Sequence, residues 1–261
     1  MNVQPAVDVP QSPGDGVIER IMAILRAFTI SDAGIPVAEL ARRSGLPRST
    51  THRLVENLTA AGLLQRNGSR LHLGLILFEL GQLVPVQRRL RATVSPFLHD
   101  LRDATKHTAN LAILDGTEVM FVDRVPGPGS TPMPFRPAGR HPAHATALGK
   151  AIMAHLSKEA VDRICAGELP HLTPRTIVSR EVLDDQLSTI RETGISYDFE
   201  ETRSGVFCVS SPVFGPDGAI LAAISVTELG GPSVARQLGP TVRSAALNLS
   251  RILTLAPIVP S

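Results

Sequence analysis

The most constraining feature of this chain is the segment VAELARRSGLPRSTTHRLVENLTAAGLL at residues 37–64. Its apolar residues recur at helical spacing on both sides of Gly45 and Pro47, which interrupt the pattern. Two short helices joined by a tight turn form a helix-turn-helix, in which the second helix reads DNA. The segment therefore predicts a DNA-binding element.

The second predicted helix opens with short hydrogen-bond donors and long cations, which periodicity places away from the apolar stripe. Side chains of these types contact base edges and phosphates. We predict such contacts from Arg48, Ser49, Thr51 and His52. Arg53 is predicted to be either a phosphate contact or an internal brace.

A hairpin is predicted directly after the helix pair. Asn-Gly-Ser at 67–69 separates two short strand-like runs, and Asn and Gly accept the positive φ of tight hairpin turns. With a first helix over 17–28, this gives a winged helix-turn-helix over 14–75. Near the tip of the wing, Arg66 and Arg70 are predicted to touch backbone phosphate.

The charge distribution agrees with this assignment. Residues 14–91 carry 11 arginines and 6 acidic residues, a net charge of +5, whereas residues 92–261 carry 15 basic and 17 acidic residues, a net charge of −2. Aromatic residues make up 3% of the chain, without tryptophan, which disfavours single-strand binding by base stacking. The positive charge at the front favours duplex DNA as the partner.

Composition limits the class and compartment of the protein. A chain of 261 residues with 43% hydrophobic residues predicts two globular domains. No apolar run is long enough to span a membrane, and the proline-bearing residues 1–13 read as a disordered tail, so we expect a cytoplasmic protein without a membrane partner. The two cysteines are far apart in sequence, which disfavours a disulfide framework or a zinc ribbon.

A linker helix over 76–91 follows the wing. Its apolar stripe serves either a partner helix in a dimer or packing within one chain. Residues 92–255 then alternate between helix and strand patterns, which predicts an α/β domain with a largely antiparallel sheet. The proline-rich stretch 126–139 is predicted to be a loop, and 256–261 a tail.

The turn before residue 219 suggests a register for two strands of this sheet. If Phe214 pairs with Ala219 across Gly-Pro-Asp-Gly, then Cys208 lies opposite Ser225. Thr227 shares the face of Ser225, because side chains two residues apart point to the same side.

A third strand extends the same row. If Glu200 pairs with Val206, Asp198 falls opposite Cys208, so Asp198, Cys208, Ser225 and Thr227 line one end of a pocket. The alternative is a solvated sheet face with a buried cysteine.

The segment HPAHATALGKA at 141–151 is a second candidate wall of the pocket. Small residues at a helix start leave backbone N–H groups approachable for an anion, although close helix packing needs the same residues. Two chemical alternatives fit poorly. A phosphate-binding loop at Gly149-Lys150 lacks the required earlier glycine and the Ser or Thr, and the His141 and His144 pair has no third metal ligand.

An enzyme is the competing class of protein, with Cys208 as nucleophile and a distant histidine as base. No catalytic motif accompanies this cysteine, and a cysteine in the middle of a strand is more often buried and inert. We therefore predict no catalytic residues, no cofactor and no metal.

Four motifs in order resemble the IclR family of bacterial transcriptional regulators: LARRSGLPRSTTHRL at 40–54, LHLGLILFELG at 71–81, HATALGKAIMAHL at 144–156, and GVFCVSSPVF with DGAILAAISV over 205–226. The resemblance covers about residues 17–253. It implies a two-domain α+β protein with an N-terminal winged helix-turn-helix, a dimerising linker helix and a GAF-like α/β effector domain with a largely antiparallel sheet. It also implies homodimers or homotetramers.

Carried over residue by residue, the family's effector pocket falls on Asp198, Cys208, Ser225 and Thr227, with backbone from Ala147 and Leu148. We therefore expect a repressor or activator that binds a small-molecule effector, a small organic acid. Its DNA partner is expected to be a double-stranded, pseudopalindromic operator.

Overall fold

The computed structural model describes residues 16–29, 31–128, 139–228 and 230–255. The predicted tails 1–13 and 256–261, and most of the predicted loop 126–139, lie outside these residues. The chain divides into two compact units, Met1–Val84 and Pro85–Ser261, which are described separately below.

The first unit is a three-stranded antiparallel sheet with four helices, and its sheet has the order β1-β3-β2. Its elements are α1 (Val17–Arg26), β1 (Ile35–Pro36), α2 (Val37–Ser44), α3 (Arg48–Ala60), β2 (Leu64–Asn67), β3 (Arg70–Leu73) and α4 (Ile76–Gln82).

A three-residue turn joins α2 to α3. Gly45 ends α2 at a φ of +71°, a conformation that costs a residue without a Cβ little. Pro47 then precedes α3, and α1 to α3 pack around a core that includes Ile24, Leu40 and Val55. The predicted helix-turn-helix is confirmed, although α1 ends two residues before the predicted Phe28.

An arginine holds this unit together behind α3. Arg43 Nη1 lies 2.7 Å from Asp32 Oδ2 and 3.2 Å from the Ala27 carbonyl oxygen, while its Nε lies 2.8 Å from Glu39 Oε1. The hydrogen bond from Arg43 lowers the pKa of Asp32 to about 2. Arg43 thus connects the end of α1, the following loop and α2, so its role is structural.

The second unit contains a six-stranded sheet of order β6-β5-β4-β9-β8-β7 in which all pairs are antiparallel. Its elements are α5 (Pro85–Thr105), β4 (Thr108–Asp115), β5 (Glu118–Val125), β6 (Arg140–Pro142), a 3₁₀ turn (Ala143–Ala145), α6 (Ala147–Met153), α7 (Lys158–Ile164), α8 (Arg180–Thr193), β7 (Ser196–Phe199), β8 (Phe207–Phe214), β9 (Ile220–Glu228) and α9 (Pro232–Leu255).

Helices cover both faces of this sheet. Leu98 of α5 and Leu249 of α9 pack with Ile224 of β9 on one face. On the other face, Ile152 of α6 and Leu187 of α8 pack with Ala223, the next residue of the same strand. Because alternate residues of β9 enter opposite cores, the sheet is the central layer of this unit.

The predicted linker helix over 76–91 is two helices in the structure. α4 ends at Gln82, and α5 begins at Pro85 and continues to Thr105. Proline suits the first turn of a helix and not its interior, because it has no N–H to donate. The predicted limits of the DNA-binding and effector domains remain predictions.

The strand registers differ in how well they were predicted. Asp198 pairs with Cys208, as predicted. The predicted pairing of Cys208 with Ser225 is wrong, because Cys208 lies opposite Thr227 and Ser225 lies opposite Ser210. Phe214 pairs with Ile220 and not with the predicted Ala219, which shifts the register by one residue. An irregularity between Val213 and Phe214 shifts it by one more, so the total shift is two residues and the side chains of the row keep their face.

The helix expected to start within 141–151 is α6, which begins at Ala147. A 3₁₀ turn precedes it, and the Thr146 hydroxyl accepts a hydrogen bond from Gly149 N at 2.9 Å to cap α6. Gly149 lies against the 3₁₀ turn so closely that a Cβ there would be 2.1 Å from the Ala143 carbonyl oxygen. Small residues in this motif therefore serve close packing.

We expect Gly149→Ala to destabilise the second unit by about 2 kcal/mol, because the added methyl group forces backbone atoms apart. Chemical denaturation of the variant measures this loss. Gly167→Ala is the matched control, because no heavy atom lies within 4 Å of a Cβ built at Gly167. Equal stability of the two variants would contradict the close approach.

Candidate functional sites

One face of α3 presents the cations and hydrogen-bond donors predicted for DNA contact. Arg48, Ser49, His52 and Arg53 are exposed, whereas Leu54, Val55 and Leu58 are buried in the core of the first unit. The exposed residues lie one helical turn apart, so they form a continuous surface.

Thr51 does not belong to that surface. It is fully buried, and its hydroxyl donates to the Pro47 carbonyl oxygen at 3.1 Å. Thr51 precedes Leu54 and Val55 by three and four residues, which places it on their side of the helix. The prediction of a DNA contact from Thr51 is therefore wrong.

The wing carries the two other predicted contacts. Arg66 and Arg70 are both exposed, on the two strands that flank the turn Gly68–Ser69. Arg70 Nη1 donates to the Gly34 carbonyl oxygen at 2.7 Å, which fixes its guanidinium beside β1. Arg66 is therefore the better placed of the two to reach a phosphate.

A cavity in the second unit brings together all six residues predicted to bind an effector. Its space, including the mouth, is about 270 Å³. The lining residues are Phe121, Thr146, Ala147, Leu148, Asp198, Thr202, Cys208, Ser225 and Thr227. That these residues bind a ligand remains a prediction.

Two hydroxyl groups of β9 are oriented by an amide on β4. Asn110 Nδ2 donates to Ser225 Oγ at 3.2 Å and to Thr227 Oγ1 at 3.1 Å. Neither hydroxyl hydrogen has an acceptor within the part of the chain that the structure describes. A hydroxyl that accepts through its oxygen still holds a hydrogen to donate, so both groups are donors for an incoming ligand.

Asp198 lies near the end of β7, and both of its carboxyl oxygen atoms have hydrogen-bond partners. Oδ1 accepts from Glu201 N at 2.7 Å and from Thr202 N at 3.4 Å, and Oδ2 lies 2.6 Å from Thr202 Oγ1. Burial raises the pKa of Asp198 above its ordinary value, against the hydrogen bonds from Thr202.

A buried ion pair lies behind the cavity. Lys150, which is fully buried on α6, donates from Nζ to Glu201 Oε1 at 2.5 Å and to Gln186 Oε1 at 2.8 Å. Burial raises the pKa of Glu201 to about 7, against the attraction of Lys150. The pair joins α6 and α8 to the loop that supplies the amides bound to Asp198.

Cys208 is a neutral structural thiol. Its Sγ donates to Thr227 Oγ1 at 3.5 Å, and burial raises the pKa of the thiol. A thiolate is the nucleophilic form of cysteine, so this environment opposes nucleophilic chemistry.

The two histidines considered as a metal pair have other roles. His144 is buried, and its Nε2 bonds to the Pro170 carbonyl oxygen at 3.1 Å, while the ring of His141 meets Phe121 edge to face. No group of three or more His, Cys, Asp or Glu side chains suited to a metal ion occurs among the described residues. In the same residues, no helix combines the length and apolarity needed to cross a bilayer.

The sequence interpretation missed several residues at or behind the cavity: Asn110, Phe121, Thr146, Lys150, Glu201 and Thr202. Asn110 and Lys150 are isolated polar residues inside otherwise apolar segments, and such residues are buried only with partners. That signal was present in the sequence. Their partners lie 115 and 51 residues away in the chain, so the partners could not be identified.

A winged helix-turn-helix followed by an α/β domain with a cavity is the architecture of a DNA-binding transcriptional regulator with a C-terminal effector domain. The family profile described as "IclR helix-turn-helix domain" matches residues 17–68, and "Bacterial transcriptional regulator IclR C-terminal" matches residues 83–251. The chain belongs to the IclR family of DNA-binding transcriptional regulators, which are not enzymes.

Characterised relatives extend over most of the chain. The HTH-type transcriptional regulator XynR of Escherichia coli K12 is 32% identical over 215 residues, which are 81% of this chain and 85% of XynR. The transcriptional repressor IclR of the same organism is 31% identical over 227 residues, which are 84% of this chain and 83% of that protein.

Solved structures share the fold. IclR of Thermotoga maritima has a TM-score of 0.74 at 26% identity, covering 91% of this chain and 98% of that chain. An IclR homologue from Microbacterium hydrocarbonoxydans, complexed with 4-hydroxybenzoate, has a TM-score of 0.78 at 24% identity, covering 89% of this chain and 98% of that chain.

We expect Lys150→Met to destabilise the protein by about 3–5 kcal/mol, because it leaves the Glu201 carboxylate buried without an ammonium partner. Combining it with Glu201→Leu removes both charges, and the double variant is expected to recover much of the loss. Urea denaturation at pH 7 measures both.

Lys158→Met is the control for this experiment, because Lys158 is exposed and its loss is expected to change stability by less than about 0.5 kcal/mol. If Lys150→Met and Lys158→Met have equal effects, the buried ion pair contributes nothing to the fold.

Proposed function

We propose that this regulator binds a pseudopalindromic operator as a dimer and that a small organic acid in the cavity changes its affinity for that operator. One observation carries the choice of ligand: Asn110 turns the Ser225 and Thr227 hydroxyls into two adjacent donors. Two donors side by side suit the two oxygen atoms of a carboxylate. Because the partner is DNA, we also propose a cytoplasmic location.

The DNA-binding surface of the proposal is the exposed face of α3, with the wing beside it. Arg48, Ser49, His52 and Arg53 supply contacts to bases or phosphates, and Arg66 and Arg70 supply contacts to backbone phosphate. A dimer with twofold symmetry places two such helices in major grooves about 34–36 Å apart, so the operator repeats its half-site in inverted order.

Exposed apolar residues in the first unit support the dimer. Leu75, Phe78 and Leu83, in and beside α4, are 73%, 66% and 71% exposed, and Ile18 of α1 is 74% exposed. Leu75 and Phe78 are one helical turn apart, and exposed apolar side chains that lie together mark an interaction site. We propose that a second copy of the chain covers them, and that such dimers assemble further into tetramers.

In the cavity, the carboxylate of the effector accepts from Ser225 and Thr227, with backbone of Ala147 and Leu148 at the start of α6 beside it. Cys208 and Asp198 lie next to Thr227 in the same cross-strand row. The 4-hydroxybenzoate found with the Microbacterium homologue is a small acid of this kind and is the first probe for this chain.

Regulation follows from linkage between the two units. An effector changes operator affinity only if it binds more tightly to one arrangement of the paired DNA-binding units than to another. The proposed effector therefore alters the fraction of dimers whose recognition helices fit successive major grooves.

We expect Arg48→Ala to weaken operator binding by about tenfold or more, since loss of one base or phosphate contact costs about 1–3 kcal/mol per half-site. Fluorescence anisotropy with the duplex upstream of the regulator's own coding region measures this loss at two salt concentrations. Arg163→Ala removes the same charge from an exposed position of α7 and is expected to have no effect. Unchanged affinity of Arg48→Ala would remove this residue from the interface.

We expect Ser225→Ala to weaken carboxylate binding by about tenfold or more, since a hydrogen bond to a charged group contributes about 1.5–3 kcal/mol. Calorimetry with 4-hydroxybenzoate and a panel of small carboxylates measures the change, and operator affinity without ligand is expected to be unaltered.

The matched control for Ser225 is Ser210→Ala. Ser210 lies opposite Ser225 on the neighbouring strand, but its hydroxyl donates to the Ile224 carbonyl oxygen and does not line the cavity.

A screen in which only cationic or wholly apolar compounds bind would discard the organic-acid proposal.

A further inference from the structure

Two carboxyl groups and only one lysine are buried at and behind the cavity wall, so the lysine cannot balance the charge of both carboxylates. Lys150, Asp198 and Glu201 are all at least 94% buried, and they contribute one ammonium and two carboxyl groups. Lys150 is paired directly with Glu201. An unpaired, ionised carboxylate in such a site is costly, and the usual outcome is that the carboxyl group keeps its proton.

The hydroxyl of Thr202 gives an independent reason. Its Oγ1 lies 2.6 Å from Asp198 Oδ2 and 2.8 Å from the Ala145 carbonyl oxygen. A hydroxyl has one hydrogen and can donate fully to only one of these two oxygen atoms. If Asp198 is ionised, no hydrogen lies between the oxygen atoms of one of these two contacts, because the Thr202 hydroxyl hydrogen is used in the other.

Both contacts become ordinary hydrogen bonds if Asp198 carries a proton. Asp198 Oδ2–H then donates to Thr202 Oγ1, and the Thr202 hydroxyl donates to the Ala145 carbonyl oxygen. Asp198 Oδ1 remains the carbonyl oxygen that accepts from the Glu201 and Thr202 amides. We propose that Asp198 is a neutral carboxylic acid in the ligand-free protein, and that this neutral form lets the cavity take an anionic effector.

The groups that face Asp198 come from four elements. α6 supplies the Lys150 ammonium, the loop after β7 supplies Glu201, β8 supplies the neutral Cys208 thiol, and β9 supplies the uncharged Thr227 hydroxyl. Burial raises the pKa of Asp198, which agrees with the hydrogen-bond geometry. Lys150 is the one cation of this set, and its ammonium lies 2.5 Å from Glu201 Oε1.

The consequence for ligand choice rests on the proposed function, whereas the protonation of Asp198 does not. An ionised Asp198 beside Thr227 would repel a carboxylate bound to the two hydroxyls. A neutral Asp198 removes that repulsion, and it can also accept from a hydroxyl elsewhere on the ligand. The cavity would then prefer hydroxy acids and would bind amines poorly.

The test compares the full-length wild type with Asp198→Asn without ligand, by urea denaturation from pH 5 to pH 8. If Asp198 is protonated only in the folded state, the wild type loses stability as pH rises from the unfolded pKa near 4 toward the higher folded pKa. Asn cannot titrate. The unfolding constant of the wild type, divided by that of Asp198→Asn, is therefore expected to rise tenfold per pH unit until Asp198 ionises.

Asp100→Asn is the control. Asp100 is exposed on α5, and this substitution also removes one carboxyl group. The unfolding constant of the wild type, divided by that of Asp100→Asn, is expected to lack the tenfold rise per pH unit. A second readout is infrared spectroscopy at pH 7, where the difference between wild type and Asp198→Asn is expected to contain the carbonyl stretch of a protonated acid.

Three results would overturn the proposal. They are a ratio for Asp198→Asn that stays constant above pH 5, a difference spectrum without the protonated acid, and failure of Asp198→Asn to fold. The last would count because Asn, like the neutral acid, is uncharged and offers one donor group and one acceptor oxygen, so it differs mainly from the ionised form. None of these experiments uses a ligand. A failed search for organic acids would therefore contradict the proposed function and the consequence for ligand choice, and it would leave the protonation of Asp198 intact.

Discussion

The antiparallel pairing of β7, β8 and β9 is the constraint on which the second unit depends. It sets Asp198, Cys208 and Thr227 side by side in one row, on the sheet face that α6 covers. Because side chains alternate between faces, the same strands send Val209 and Val226 into the opposite core. One register therefore builds the hydrophobic core and the polar cavity together, and a slip of one residue would destroy both.

Burial of a polar group costs free energy unless the group has a partner, and the partners of Asn110 and Lys150 come from distant parts of the chain. Asn110 reaches two hydroxyls of β9, while Lys150 holds the loop whose amides bind Asp198. These contacts fix the donors of the cavity before any ligand arrives. Preorganisation of this kind favours specific binding, since little ordering is left to occur on association.

Periodicity and turn chemistry were sufficient to predict the helix-turn-helix, the largely antiparallel sheet and the pairing of Asp198 with Cys208. They did not reveal the irregularity at Val213 and Phe214, because such a defect depends on packing across strands. That irregularity, together with the pairing of Phe214 with Ile220 instead of Ala219, made the predicted register of β8 and β9 wrong by two residues, although the faces were right. Thr51 was misplaced for another reason: residue type suggested a DNA contact, while its spacing from the buried Leu54 already placed it inside.

We propose that occupancy of the cavity and affinity for DNA are coupled. The most direct test measures the affinity of wild-type protein for its operator with and without a saturating carboxylate, and the affinity for that carboxylate with and without operator. Coupling requires the two ratios to be equal and different from one. If the carboxylate binds with the same affinity to free and DNA-bound protein, and the operator affinity is unchanged, the account is contradicted.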